Sequence, residues 1–273
     1  MQKLLLLIFF MALGSSVWAG EVERSPLSIG EALRFSSKIL NEDRTLNIYL
    51  PPGYHKDQSK RYPVIYLLDG SMEEDFIHIA GLVQFGSFSW INMLPESILV
   101  GVGNVDRKRD FTFTSKVLRD KKEFPSSGGS GKFIASLMKE MQPLVERNYR
   151  VSGQTTLIGQ SLGGLLATEI LVKHTNLFDH YIIVSPSLWW DGESLLELIP
   201  AGCCAAKSIY VGVGKEGAVM ERLARELHDK LDPDNKTETV HFGYFKQLDH
   251  GNTLHLAVYD AFGKIFSNQA PQE

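Results

Sequence analysis

Thr155-Thr156-Leu157-Ile158-Gly159-Gln160-Ser161-Leu162-Gly163-Gly164 contains a change of rhythm that constrains the chain on both sides of it. A short apolar run enters, G-x-S-x-G follows, and a segment with helical spacing, Leu162 to His174, leaves at once. A strand that turns this tightly into a helix holds its serine at strained backbone angles. Gly159 and Gly163 have no Cβ to strike the neighbouring backbone. The strain lifts the Ser161 hydroxyl above the sheet. Behind it stand the N–H groups of the helix start, which face any negative charge that develops on a substrate oxygen.

Further apolar runs lie on either side: Pro63 to Leu68, Ser97 to Val102, Tyr181 to Val184, Ser208 to Val213 and Thr239 to Phe245. Between them come amphipathic stretches, Lys132 to Tyr149, Ala218 to Leu231 and Thr253 to Phe266. In the first, Phe133, Leu137, Met141, Leu144 and Val145 recur at helical spacing. Continuous apolar strands alternating with helices predict an α/β fold, a mostly parallel sheet with helices on both faces. Arg34 to Leu40 and Thr45 to Leu50 flank Asn41-Glu42-Asp43 and read as a hairpin, which gives the sheet an antiparallel N-terminal edge. Gly103 to Gly131 has no apolar period; a loop of that length inside a domain is usually functional or mobile.

A serine hydroxyl needs a base. With the serine on a strand-to-helix turn, the partners follow as acid and then His, each at the C-terminal end of a later strand. His250, in Leu248-Asp249-His250-Gly251-Asn252, lies between the last strand and the last helix and is the expected base. Glu216, in Val213-Gly214-Lys215-Glu216-Gly217, follows the preceding strand and is the expected acid. Asp191 is the alternative, and a Ser–His dyad without an acid stays open. Two N–H donors should face the oxyanion: Leu162, next to the nucleophile, and Ser71, in the loop after the Val64 to Leu68 strand.

The chain has 273 residues, 44% hydrophobic and 22% charged, with a net charge of −4, enough to bury a sizeable core and too apolar for disorder. Lys and Arg number 28 against 32 Asp and Glu, and no basic face shows, which argues against a nucleic-acid partner. Met1-Gln2-Lys3, an apolar run from Leu4 to Leu13, and Val17-Trp18-Ala19 read as a signal peptide cleaved after residue 19. The expectation is a single domain over 20–273, periplasmic or secreted, with no stable membrane association after cleavage. Cys203-Cys204 could close a strained vicinal disulfide or stay as two thiols. No HExxH pair or Cys/His spacing calls for a metal, and no cofactor is implied. Gly128 to Lys132 is not a phosphate loop, because Ser126 and Phe133 stand where that motif needs Gly and Ser or Thr.

Pro51-Pro52-Gly53-Tyr54, Tyr66-Leu67-Leu68-Asp69-Gly70, Arg109-Asp110-Phe111-Thr112, Gly128-Gly129 and Tyr149-Arg150-Val151 precede the Ser161 elbow in that order. Together they resemble the esterase D-like family of α/β-hydrolases, which spans feruloyl and acetyl-xylan esterases, S-formylglutathione hydrolases, mycolyltransferases and siderophore esterases. The resemblance covers roughly 44–250. Ser185-Pro186-Ser187-Leu188-Trp189-Trp190 is most similar to the siderophore-esterase branch. The resemblance implies an α/β-hydrolase fold and a serine esterase acting on a small-molecule ester. Asp69, Arg109, Trp189 and Trp190 would then border the substrate cleft, although Arg109 could instead pair with a carboxylate and the two Trp could instead fill the core. Gln160 replaces a frequent His before the nucleophile, and Lys215-Glu216-Gly217 lacks an Asp often found in the acid loop. An acyltransferase on the same scaffold and a non-hydrolytic siderophore- or glycan-binding protein are the other readings.

Overall fold

The hairpin that opens the described chain, β1 (Gly30–Ser37) and β2 (Glu42–Tyr49), pairs antiparallel with Gly30 opposite Tyr49 and Ser37 opposite Glu42. A computed structural model describes residues 22–200 and 206–266. The expected cleavage segment 1–19 and Cys203-Cys204 lie outside the described residues. The hairpin turn falls earlier than the sequence pattern suggests. Asn41 takes φ 55°, a left-handed angle that Asn tolerates, which lets Glu42 and Asp43 join the second strand.

After the hairpin come β3 (Tyr62–Leu67), α1 (Phe76–Gly86), β4 (Ile98–Val102), α2 (Arg107–Asp110) and α3 (Leu118–Glu123). Then α4 (Ser130–Ser136), a π turn (Leu137–Met141) and α5 (Gln142–Asn148) lead into β5 (Val151–Gln160) and α6 (Leu162–Lys173). The described chain finishes with β6 (His180–Val184), α7 (Ser194–Glu197), β7 (Ser208–Gly214), α8 (Ala218–Leu231), β8 (Val240–Phe245) and α9 (Thr253–Phe266). The eight strands form one sheet in the order β1-β2-β4-β3-β5-β6-β7-β8. β2 runs antiparallel to both neighbours, and every pair from β4–β3 to β7–β8 is parallel.

Side chains alternate across the parallel strands, so each strand serves two cores. Ile65 and Leu67 of β3 meet α1 and α9 through Phe76, Ile79, Val83, Val258 and Phe262. Val64 and Tyr66 point the other way, into the cluster formed with α4, α6 and α8 through Phe133, Leu165, Ile170 and Leu227. α6 sits under the middle of the sheet with ten of its twelve residues buried, and it is the most enclosed support for the serine elbow.

Two departures from the sequence expectation have simple causes. α1 escapes the periodicity test because Phe76-Ile77-His78-Ile79-Ala80-Gly81-Leu82-Val83-Gln84-Phe85-Gly86 is apolar nearly all round and carries no Asp, Glu, Lys or Arg. The helix expected from Lys132 begins at Ser130 and widens into the π turn just ahead of Pro143. That proline has no N–H to donate to the preceding turn, and its ring crowds that turn. The 103–131 segment is not slack. Trp190 Nε1 donates to Phe113 O at 2.9 Å, the Lys116 N–H donates to Asp191 Oδ1, and Gly129 N donates to Arg109 O at 2.9 Å. Among the described residues no helix is long and apolar enough to cross a membrane.

Candidate active site

Ser161 stands between β5 and α6 at φ 59°, ψ −118°, well outside the regions an L residue prefers. The turn is held by close backbone approach: a Cβ on Gly159 would lie 2.4 Å from Gly163 O, and one on Gly164 2.9 Å from Pro186 Cα. Ser161 N donates to Val184 O at 3.0 Å, so the elbow is anchored to the next strand. The serine's Oγ lies 3.3 Å from Ser187 Oγ, and Ser187 N donates to Ser161 O at 3.0 Å.

Glu216 and His250 arrive from the loops after β7 and β8. His250 Nδ1 and Glu216 Oε2 are 2.6 Å apart, with the imidazole half exposed and the carboxylate buried. Lys215 N donates to Leu248 O at 2.7 Å and ties the two loops together. Gln160 Nε2 donates to His250 O at 2.7 Å and ties the second loop to the elbow. Burial pushes the Glu216 pKa up, but hydrogen bonds from His250, Ser185 and the Gly214 N–H outweigh it and hold the carboxyl below its ordinary value. A carboxylate so held fixes which imidazole nitrogen faces it and leaves Nε2 for the cavity. Ser161, Ser187, Trp189, Lys215, Glu216, Met220, Asp249 and His250 line one cavity of about 490 Å³.

Leu162 opens α6, so its N–H is one of the four that a helix leaves without an internal acceptor. Ser71 lies in the loop after β3, where its N–H donates to Glu74 Oε2 at 3.2 Å. The loop leaves the sheet at Asp69, which takes φ 57°. At Gly70 a Cβ would lie 2.3 Å from Gly101 Cα, so only glycine passes β4 here. Asp69 is nearly buried and accepts from Arg107 Nε at 2.6 Å, Arg107 Nη2 at 2.9 Å and Asn104 Nδ2 at 2.7 Å. Its carboxylate is thus spent on holding the loop.

Arg109 does not reach the elbow. Its guanidinium donates to both Glu42 oxygens, at 2.6 and 2.9 Å, and to Asp110 Oδ1 at 2.7 Å. The neighbouring Arg107 is the residue beside the elbow, with Nη2 3.4 Å from Gln160 O. The signal for this was present in Asp106, whose side chain caps the Arg109 N–H and makes 107–110 one helical turn. Residues two apart on a turn point to different sides. Trp189 lines the cavity, whereas Trp190 is fully buried against Phe124. Asp191 bonds Lys116 N, Ser115 Oγ and Ser194 Oγ, well occupied away from the imidazole. Sequence reasoning did not find the roles of Arg107, Asn104, Gln160, Ser185 and Ser187, since each acts through a partner distant in the chain.

A serine on a strand-to-helix elbow at the C-terminal edge of a mostly parallel eight-stranded sheet, with a Glu–His pair in the following loops, is the arrangement of the α/β-hydrolase fold. A sequence model of the Esterase family, described as "Putative esterase", matches residues 37–251, and the chain belongs to that family. It is a carboxylic ester hydrolase. Ferri-bacillibactin esterase BesA of Bacillus subtilis (strain 168) is 29% identical over 214 residues, covering 70% of this chain and 74% of its own. An IroE-like serine hydrolase from Shewanella oneidensis superposes with a TM-score of 0.78 at 29% identity, over 89% of this chain and 82% of that one. The BES protein from Bacillus cereus gives 0.76 at 26% identity, over 91% and 99%.

Proposed function

We propose that the chain is an exported serine esterase that cleaves bulky, siderophore-type esters through an acyl-enzyme on Ser161. The observation that carries this reading is the convergence of Ser161, His250 and Glu216 on one cavity, with Glu216 already bonded to the imidazole. His250 takes the Ser161 proton as the hydroxyl attacks the ester carbonyl, and Glu216 stabilises the imidazolium. The Leu162 and Ser71 N–H groups meet the oxyanion, the latter after exchanging its Glu74 contact for the substrate oxygen. His250 then returns the proton to the leaving alcohol, and water releases the acyl group by the same route.

Bulk is supported by a second cavity of about 590 Å³, lined by Val117, Phe124 and Gly192, which shares Trp189 with the first. The relative named ferri-bacillibactin esterase supports the same substrate class. Lys3, the Leu4 to Leu13 run and Val17-Trp18-Ala19 support export, with 20–273 as the mature domain.

The test compares wild type with Ser161→Ala on p-nitrophenyl acetate and butyrate, then on ferric siderophore esters. The expected loss in kcat is at least about 10³-fold. Equal turnover in both proteins would overturn the serine mechanism, and an added alcohol that outcompetes water for the acyl group would make the enzyme a transferase.

A further inference from the structure

Glu216 divides its two oxygens between different tasks. Oε2 faces His250 Nδ1, while Oε1 accepts from Ser185 Oγ at 2.5 Å and from Gly214 N at 2.9 Å. Thr253 Oγ1 also lies 3.4 Å from Oε1, but it is 2.6 Å from Asp249 O, where its proton goes. Ser185 is fully buried just past the end of β6, and its backbone is fixed twice over. Its own N–H donates to Gly212 O at 2.7 Å, and two residues on, Ser187 N holds Ser161 O. The position is costly, since Ser185 takes φ 46°. A serine kept at a left-handed angle, where glycine would be cheaper, calls for a use of its hydroxyl.

We infer that Ser185 is a positioning residue for the ester-cleaving reaction: its hydroxyl clamps Oε1 of Glu216 so that Oε2 stays aligned with His250. This rests on the triad reading above. The physical need comes from the acid being glutamate. Glu has one more side-chain torsion than Asp, and that freedom must be removed if the carboxylate is to meet the imidazole in one geometry. The Ser185-Pro186-Ser187 turn thereby links the acid to the nucleophile through a single rigid piece of backbone.

Ser185→Gly is the test variant, because glycine accepts φ 46° and loses the hydroxyl together with its Cβ, whereas Ser185→Ala loses the hydroxyl alone. We expect kcat to fall about tenfold, with KM within about twofold of wild type, as for a group that acts on the transition state alone. In a Glu216→Ala background the same substitution should change kcat by less than about twofold, since nothing is left to clamp. An equal loss in both backgrounds, or no loss in the wild-type background, overturns the inference. Ser185→Ala, which keeps the backbone preference of an L residue, must give the same coupling, and a different one overturns it too. A Glu216→Ala enzyme as active as wild type would instead remove the triad acid itself, a failure visible before Ser185 is touched.

Discussion

Arg107 and Arg109 are two residues apart on one helical turn and hold different parts of the molecule. Arg107 grips Asp69 with two hydrogen bonds and so sets the loop that presents Ser71 N. Arg109 binds Glu42, whose pKa it lowers, and Asp110, which in turn pairs with the fully buried Arg44. Arg107→Ala should therefore lower kcat by at least about tenfold, because a loop displaced by a fraction of an ångström misplaces the Ser71 N–H, the oxyanion donor of the mechanism proposed above. Arg109→Ala should leave kcat near wild type and cost about 2 kcal/mol of stability, the value of charged hydrogen bonds in a half-buried site. Steady-state kinetics and urea unfolding of the two variants check this, and the opposite pattern would reverse the two roles. Residue identities in this region were legible in the sequence. Their directions were not, since adjacent cations on a turn are told apart only by what folds against them.

At the scale of elements, the elbow is the part most fully written in the sequence. A strand, two glycines around a serine and an immediate helix leave one way for the backbone to run. The contacts explain why: the β5–α6 crossing brings Gly159 and the Gly163 carbonyl within the space that a methyl group would occupy. Gly159→Ala should cost about 2–4 kcal/mol, since the clash is with backbone and no side chain can move aside. Chemical denaturation measures this, and a cost below about 0.5 kcal/mol, the size of an ordinary surface substitution, would show that the crossing can open. α1 and the 103–131 segment were the elements hardest to read. The first is apolar on nearly every side, so its sequence has no period. The second is ordered by bonds to Trp190 and Asp191, some seventy residues away, of which its own composition gives no sign.

For the whole molecule, the sheet order separates two ends with different chemistry. The C-terminal ends of the strands carry Ser161, Glu216 and His250, whereas His180 begins β6 at the opposite end and is completely buried. Burial, against the pull of the neighbouring Asp179, pushes the His180 imidazole down to about 4 from its ordinary 6.5. The folded protein then binds fewer protons here than the unfolded chain. Stability is full above about pH 6.5 and falls as the pH drops towards 4, by on the order of 2–3 kcal/mol. His180→Gln should flatten that part of the profile in urea unfolding at several pH values, and an unchanged slope would assign the acid sensitivity to other groups.

The sequence alone determined the strand–serine–helix turn and the alternation of apolar runs with amphipathic helices, because each rests on local sterics or on periodicity within a few residues, whereas it left Glu216 and Asp191 both open as the partner of His250. Tertiary structure decided which of two arginines stands beside the elbow, which oxygen of Glu216 faces the imidazole, and that Ser185 bonds Glu216 while Gln160 bonds the His250 carbonyl. Those choices depend on contacts between segments 31 to 90 residues apart, where spacing along the chain gives no direction and only the packed sheet brings the atoms within bonding distance.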